Sequence, residues 1–141
     1  MVSLIQDATQ AMVTLHNLTS ALKHGSTPDA HTILGIQSDL VDFYRQVGEE
    51  MATKFGAKEA AYLSRKIAQA QQYQKARIEL KMTGGDSAEA AMLAVAEEYS
   101  RENENATEYE RYRTFLRSIQ NAIEHTRQTV SFLKTAENSP S

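Results

Sequence analysis

The chain of 141 residues contains no cysteine. A disulfide framework and a thiolate-ligated metal site are therefore both excluded. The segment from Met1 to Asp7 lacks a basic flank followed by an apolar run, which is the pattern of a secretory signal. No apolar stretch approaches the roughly 18 to 20 residues that cross a bilayer. We therefore expect a cytoplasmic protein with no membrane span.

Proline and glycine are also scarce, with two and six residues respectively. Because these residues interrupt helices most strongly, their scarcity leaves long runs in which a helix can propagate. We predict an all-α fold, an elongated bundle of four to five amphipathic helices with a long C-terminal helix of coiled-coil type. The length suits one domain, which we place at residues 1–137, followed by a disordered tail at 138–141.

Apolar residues recur at alternating spacings of three and four along most of the chain, which is the periodicity of amphipathic helices. Gly25 and the pair Gly84-Gly85 provide stops, and Gly56 divides a middle stretch in two. Thr27 and Asp86 are the predicted N-terminal caps of the helices that follow them. We expect a further break in the polar run near 103–107, where the hydrophobic register changes. The predicted helices cover residues 3–23, 28–54, 57–82, 87–102 and 107–136.

Charge is distributed unevenly along the chain. Residues 54–81 contain seven bases and two acids, whereas the chain as a whole has a net charge of −3. At 100° per residue, Ala60, Leu63, Ile67 and Ala70 form the predicted buried face of this helix, and cations interleaved with tyrosines occupy the opposite half. Cations neutralise phosphates and tyrosines stack on unpaired bases, so this half is a candidate nucleic-acid or anion-binding surface. Its residues are Lys54, Lys58, Tyr62, Arg65, Lys66, Tyr73 and Arg77.

A second interpretation of the basic half remains open. Every surface helix needs a solvated side, and these cations can instead pair with acids on neighbouring helices. The acidic character of the whole chain favours this pairing, because dedicated nucleic-acid domains usually have a high isoelectric point.

The last predicted helix contains a heptad ladder. Its seam is one or two residues wide, so it requires a facing helix from this chain or from a second copy. A helix of about 30 residues would be roughly 45 Å long, longer than the other predicted helices can cover. We therefore predict a homo-oligomer, with a dimer favoured, through Tyr109, Tyr112, Leu116, Ile119, Ile123, Thr126, Val130 and Leu133.

Catalytic motifs are missing from the sequence. None of the four histidines follows an acid at three or four residues, so the Glu-x-x-His pattern of di-iron bundles is absent. The HExxH, GxSxG and Gly-rich phosphate-binding motifs are absent too. We expect a protein that is not an enzyme and that has no cofactor and no bound metal.

The order of elements from residue 75 to 134 resembles that of small helical accessory proteins of tailed bacteriophages and prophages. The resemblance rests on helix and charge pattern over about 60 residues, and it transfers no active site. It implies a viral accessory protein acting in a bacterial cytoplasm. The segments that carry it are Lys75-Ala-Arg-Ile-Glu-Leu-Lys81, Asp86-Ser-Ala-Glu89, Tyr109-Glu-Arg-Tyr-Arg113 and the Arg127 to Lys134 stretch.

Three functions are compatible with these features. The first is a non-enzymatic helical interaction protein that self-associates and binds another macromolecule, with a protein partner favoured and no membrane partner expected. The second is a nucleic-acid-binding accessory protein of replication or recombination that uses the basic half of residues 54–81. The third is a viral inhibitor of a bacterial defence complex.

Overall fold

The structure is a computed structural model that describes the backbone of residues 2–138 and the side chains of residues 3–136. Four helices account for most of this part of the chain: α1 (Val2–Leu22), α2 (Ala30–Ile78), α3 (Gly84–Ala94) and α4 (Ala96–Asn138). The described residues contain no strand. The all-α prediction is confirmed. Residues 139–141 of the predicted tail lie outside the described residues, and Asn138 ends α4.

Helix α1 ends where the sequence predicts. The amide of Gly25 donates to the carbonyl of Leu22, and the amide of Ser26 donates to that of Ala21. This pair of hydrogen bonds is a Schellman motif, which needs a left-handed residue at its centre. Gly25 supplies it with a φ of 85°.

The start of α2 differs by a few residues from the prediction. The Asp29 carboxylate accepts a hydrogen bond from the amide of His31 at 3.2 Å. The cap is therefore Asp29 rather than Thr27, and the helix begins at Ala30 instead of residue 28. Aspartate caps well because its carboxylate also meets the positive end of the helix dipole.

The predicted break at Gly56 is wrong. One helix of 49 residues spans most of the region predicted as helices 28–54 and 57–82. A glycine inside a helix costs about 1 kcal/mol relative to alanine. That cost is small beside the loss of a turn of backbone hydrogen bonds, so a lone glycine does not end a helix.

The connection between α2 and α3 also departs from the prediction. Helix α2 ends at Ile78, and Gly84-Gly85 form the first turn of α3 instead of ending the helix before it. The Thr83 hydroxyl accepts from the amide of Asp86, so Thr83 is the cap and the predicted Asp86 cap is wrong. Glycine is tolerated in a first turn, where the amides have no partner within the helix.

The break predicted near 103–107 lies instead at Val95, whose φ of −108° and ψ of 23° separate α3 from α4. The boundary between the predicted helices 87–102 and 107–136 is therefore wrong. The polar run Arg101–Asn105 lies inside a 43-residue helix. Polar side chains do not end a helix by themselves. Polar side chains only indicate that this part of the helix is not buried in a hydrophobic core.

The chain's contacts form two compact units where one domain was predicted. The terminal unit comprises Met1–Glu50 with Arg113–Ser141, and the central unit comprises Met51–Tyr112. Aliphatic residues at heptad spacing dominate the core of the terminal unit, including Ile33, Leu40 and Val47 of α2 and Ile119 of α4. The buried residues of the central unit are mostly small or aromatic: Ala76, Ser87, Ala91, Val95 and Tyr112. No helix in the described part of the chain is apolar and long enough to span a membrane.

Candidate functional site: the two faces of helix α2

In the central unit, the predicted buried face of α2 is exposed, and part of the predicted basic half is turned inward. The side turned inward is half-buried, or buried at Ala76, and largely polar, and we call it the inner face: Lys54, Lys58, Ala61, Arg65, Ala68, Gln69, Gln72 and Ala76. The opposite side is exposed and mostly apolar, and we call it the outer stripe: Gly56, Ala60, Leu63, Ile67, Ala70, Gln74 and Ile78. The predicted burial of Ala60, Leu63, Ile67 and Ala70 is therefore wrong.

Arg65 is the centre of the inner face. Its Nε and Nη2 atoms donate to the two carboxylate oxygens of Glu102 on α4, at 2.7 and 3.2 Å. Its Nη1 atom donates to Gln69 at 3.1 Å. The guanidinium carbon lies 4.5 Å from the ring centre of Tyr99 and 5.2 Å from that of Tyr62. Arg65 thus joins α2 to α4 through a bidentate ion pair and cation–π contacts.

This pair has an electrostatic signature. The hydrogen bond from Arg65, and then the attraction of Arg65 and Lys66, lower the pKa of Glu102 below its ordinary 4.5. The hydrogen bond that Arg65 donates to Glu102 raises the pKa of Arg65 in turn. Both groups therefore carry their charges at neutral pH, as a close ion pair requires.

Two lysines of the inner face contact the aromatic residues of α4. The Lys58 ammonium lies 4.8 Å from the ring centre of Tyr109, and the Lys54 ammonium lies 5.5 Å from that of Tyr112. Lys54 also approaches Glu108 at 3.8 Å. The ring of Tyr109 packs against Phe55 with centroids 5.6 Å apart. Lysine stems and tyrosine rings therefore fill the space that aliphatic side chains fill in an ordinary bundle.

The predicted nucleic-acid surface is divided by this arrangement. Lys54, Lys58 and Arg65 face α4, where Lys54 and Arg65 pair with acids as the second interpretation expected. Lys66 and Arg77 are exposed, and so are Tyr62 and Tyr73. The Arg77 guanidinium donates to the carbonyl of Met82 at 3.2 Å. Nucleic-acid binding stays a prediction, with a smaller set of outward groups than the sequence indicated.

The outer stripe presents the largest aliphatic side chains of this part of α2 to solvent. Leu63, Ile67 and Ile78 are 57%, 58% and 69% exposed. An amphipathic helix normally buries its apolar stripe and exposes its polar one. Exposed aliphatic side chains that lie along one face of a helix are typical of an interaction site. The sequence contains one indication of which side of α2 faces another helix. The inner face has alanine at positions 61, 68 and 76, and such small residues allow another helix to approach closely.

The C-terminal ladder lies inside its own chain. Tyr112, Ile119, Ile123, Thr126, Val130 and Leu133 are buried, and Tyr109 and Leu116 are half-buried. Val130 lines a groove together with Leu34 and Gln37 of α2, and Thr129 lines another together with His16 of α1. Since α2 has 49 residues, the length argument for a second chain no longer holds. Oligomerisation through the ladder stays a prediction without that support.

Other possible sites are limited. A shallow groove of about 480 Å³ in the terminal unit is lined by His16, Lys23, His125 and Phe132, among others. Within the described residues, no three histidine or acidic side chains are grouped closely enough to hold a metal ion. The outer stripe is therefore the candidate site with the most distinctive chemistry.

Comparison with known proteins adds no relative to this picture: no protein-family model, no curated protein and no solved structure matches the chain.

Proposed function

We propose that this chain is a non-enzymatic interaction protein that binds an α-helix of another protein chain along the outer stripe of α2. One observation carries the proposal: in the central unit, α2 turns Lys54, Lys58 and Arg65 inward and leaves the aliphatic side chains of Leu63, Ile67 and Ile78 exposed. Polar contacts hold α2 against α4, and leucine and isoleucine side chains of α2 remain exposed. This arrangement favours a partner on the aliphatic side of α2.

The spacing of the stripe favours a helical partner. Ala60, Leu63, Ile67, Ala70 and Gln74 follow one another at alternating intervals of three and four. This is the heptad pattern of helices that pair side by side. A partner helix would bury the exposed part of Leu63 and Ile67, which stabilises a complex by about 1 kcal/mol per side chain.

The phage resemblance is compatible with this function, since an accessory protein that binds another protein needs a surface and no active site. We propose the interaction role without a named partner. The exposed aliphatic residues of α2 support it, and nothing in it depends on the C-terminal ladder.

Photo-crosslinking tests the proposal. A photoreactive amino acid replaces Ala70 in the outer stripe, and in a matched control it replaces Gln128, an exposed residue of α4. After irradiation in the protein's native cells, we expect one discrete adduct from position 70 and none from position 128. The adduct's mass reports whether the partner is another protein or a second copy. No adduct from position 70, or equal adducts from both positions, would contradict the proposal.

A further inference from the structure

We propose that the occupant of the outer stripe is a second copy of this chain, paired antiparallel through α2. This inference rests on the proposed function and names its partner. The two-fold axis crosses between Ala61 and Tyr62. Leu63 of one copy lies over Ala60 of the other, and Ile67 lies over Gly56.

Side-chain size favours this register. The outer stripe begins with two small residues, Gly56 and Ala60, and continues with two large ones, Leu63 and Ile67. Antiparallel pairing about the stated axis places each large residue opposite a small one, and the two-fold axis repeats every contact. Helices that alternate large and small residues across an interface can approach closely and interdigitate. A Cβ built on Gly56 meets nothing within 4 Å, so the space above it is open.

Charge selects the same register. Glu59 and Lys66 are exposed and flank the stripe on the same side, seven residues apart. In antiparallel helix pairs, flanking residues on one side meet their equivalents on the other helix. Glu59 of each copy then faces Lys66 of the other, which gives two ion pairs related by the axis.

Other pairings lack this complementarity. Parallel helices would place Glu59 beside Ser64 and Lys66 beside Gln71, with no ion pair. The antiparallel register that stacks Leu63 on Ile67 would bring Lys66 against Lys66 of the second copy. Two lysines facing each other across the interface repel, which disfavours this second register.

The contact is small for a permanent dimer. It extends from about residue 53 to residue 70, which is roughly 27 Å of helix on each copy. Single helix pairs of this length lie at the low end of specific interfaces. We therefore expect a reversible dimer that dissociates on dilution.

Charge reversal tests the register in the full-length protein. Glu59→Lys and Lys66→Glu each turn two attractive contacts into two repulsive ones, so we expect each to raise the dimer dissociation constant about tenfold or more. The combined variant Glu59→Lys/Lys66→Glu restores both contacts and should dimerise like the wild type. An equimolar mixture of the two single variants should form a heterodimer in preference to either homodimer. Analytical ultracentrifugation measures each species.

A control separates this effect from a general change of charge. Arg117→Glu makes the same charge change as Lys66→Glu at an exposed position of α4, and it should leave the dimer unchanged. The Lys66 ammonium also lies 5.5 Å from the ring centre of Tyr62. Circular dichroism of each variant checks that losing this contact leaves the fold intact. Recovery in the combined variant is diagnostic, because that variant lacks the Lys66–Tyr62 contact as well.

The outcomes divide the two proposals. A wild-type monomer at high micromolar concentration, or a dimer that the combined variant fails to restore, overturns the antiparallel pairing. In the first of these cases, a crosslink from position 70 to a different protein keeps the interaction function and replaces the second copy by that protein. If position 70 gives no crosslink and the wild type is monomeric, both proposals fail.

Discussion

Arg65 shows how a charged residue can serve as the main contact of a helix pair. Its guanidinium is held by Glu102, Gln69 and two tyrosine rings. A guanidinium suits this position because it is planar, stacks on aromatic faces and donates two parallel hydrogen bonds to a carboxylate. Lysine at the same position would keep the charge and lose the bidentate geometry.

The Arg65–Glu102 pair should make stability depend on pH. Because the folded state lowers the pKa of Glu102 below 4.5, the stabilisation is fully present above that value and is lost as the pH falls through the lower, folded-state pKa. Glu102→Gln removes this dependence. We expect denaturant titrations to show wild type more stable than the variant at pH 7, and the difference to shrink towards pH 3. A constant difference across that range would exclude the ion pair as its cause.

Ser87 offers a second test at this scale. It is fully buried in α3, and its hydroxyl has no hydrogen-bond partner among the described residues. An unsatisfied buried hydroxyl costs free energy, so Ser87→Ala should raise the free energy of unfolding by about 0.5 to 2 kcal/mol. Urea denaturation measures the change. A destabilised variant would show that the hydroxyl has a partner, such as a buried water.

Helix elements were more predictable than their ends. Periodicity alone located helical chain throughout, because three–four spacing extends over most of the sequence. Boundary predictions that relied on single residues were wrong. Gly56 lies inside α2, and α3 ends at Val95, a residue type that does not normally interrupt a helix. A glycine costs a helix about 1 kcal/mol, and the contacts on either side of it decide whether the helix continues. Those contacts are not readable from local sequence.

Helix orientation was the other part that sequence could not provide. The pattern grouped Ala60, Leu63, Ile67 and Ala70 on one face correctly but assigned that face to the core, and it grouped inward and outward cations on a single basic half. Burial of the cations depends on Glu102, Tyr99 and Tyr109, which lie more than 30 residues away in the sequence. The candidate site followed from that orientation, so the outer stripe became visible only in the structure.

Two glycines give a matched test of the helix boundaries. Gly35 is exposed inside α2, and a Cβ there meets nothing within 4 Å. Gly35→Ala should therefore raise the free energy of unfolding by about 0.5 to 1 kcal/mol. Gly25 has a φ of 85°, so Gly25→Ala should lower it by about 1 to 2 kcal/mol. Thermal or chemical denaturation compares the two, and equal effects would contradict the difference in backbone conformation.

At the scale of the whole molecule, the buried core and the proposed dimer contact use different apolar residues. Ile119 is fully buried in the terminal unit, so Ile119→Asp should destabilise the fold by about 4 kcal/mol or more. Leu63→Asp, in the exposed outer stripe, should destabilise the fold by only about 1 kcal/mol and abolish dimerisation. Circular dichroism and ultracentrifugation of both variants make the comparison. An unfolded Leu63→Asp chain would show that the stripe belongs to the fold.

The independence of the outer stripe from the fold has a consequence for how pairing specificity can diverge. In the proposed dimer, a chain that exchanges Glu59 and Lys66 keeps its own two ion pairs, yet against the original chain it presents acid to acid and base to base. Two substitutions would thus yield two populations that pair with themselves and avoid each other. Duplicate copies of this protein could be insulated from one another in one cell without any change to their interiors.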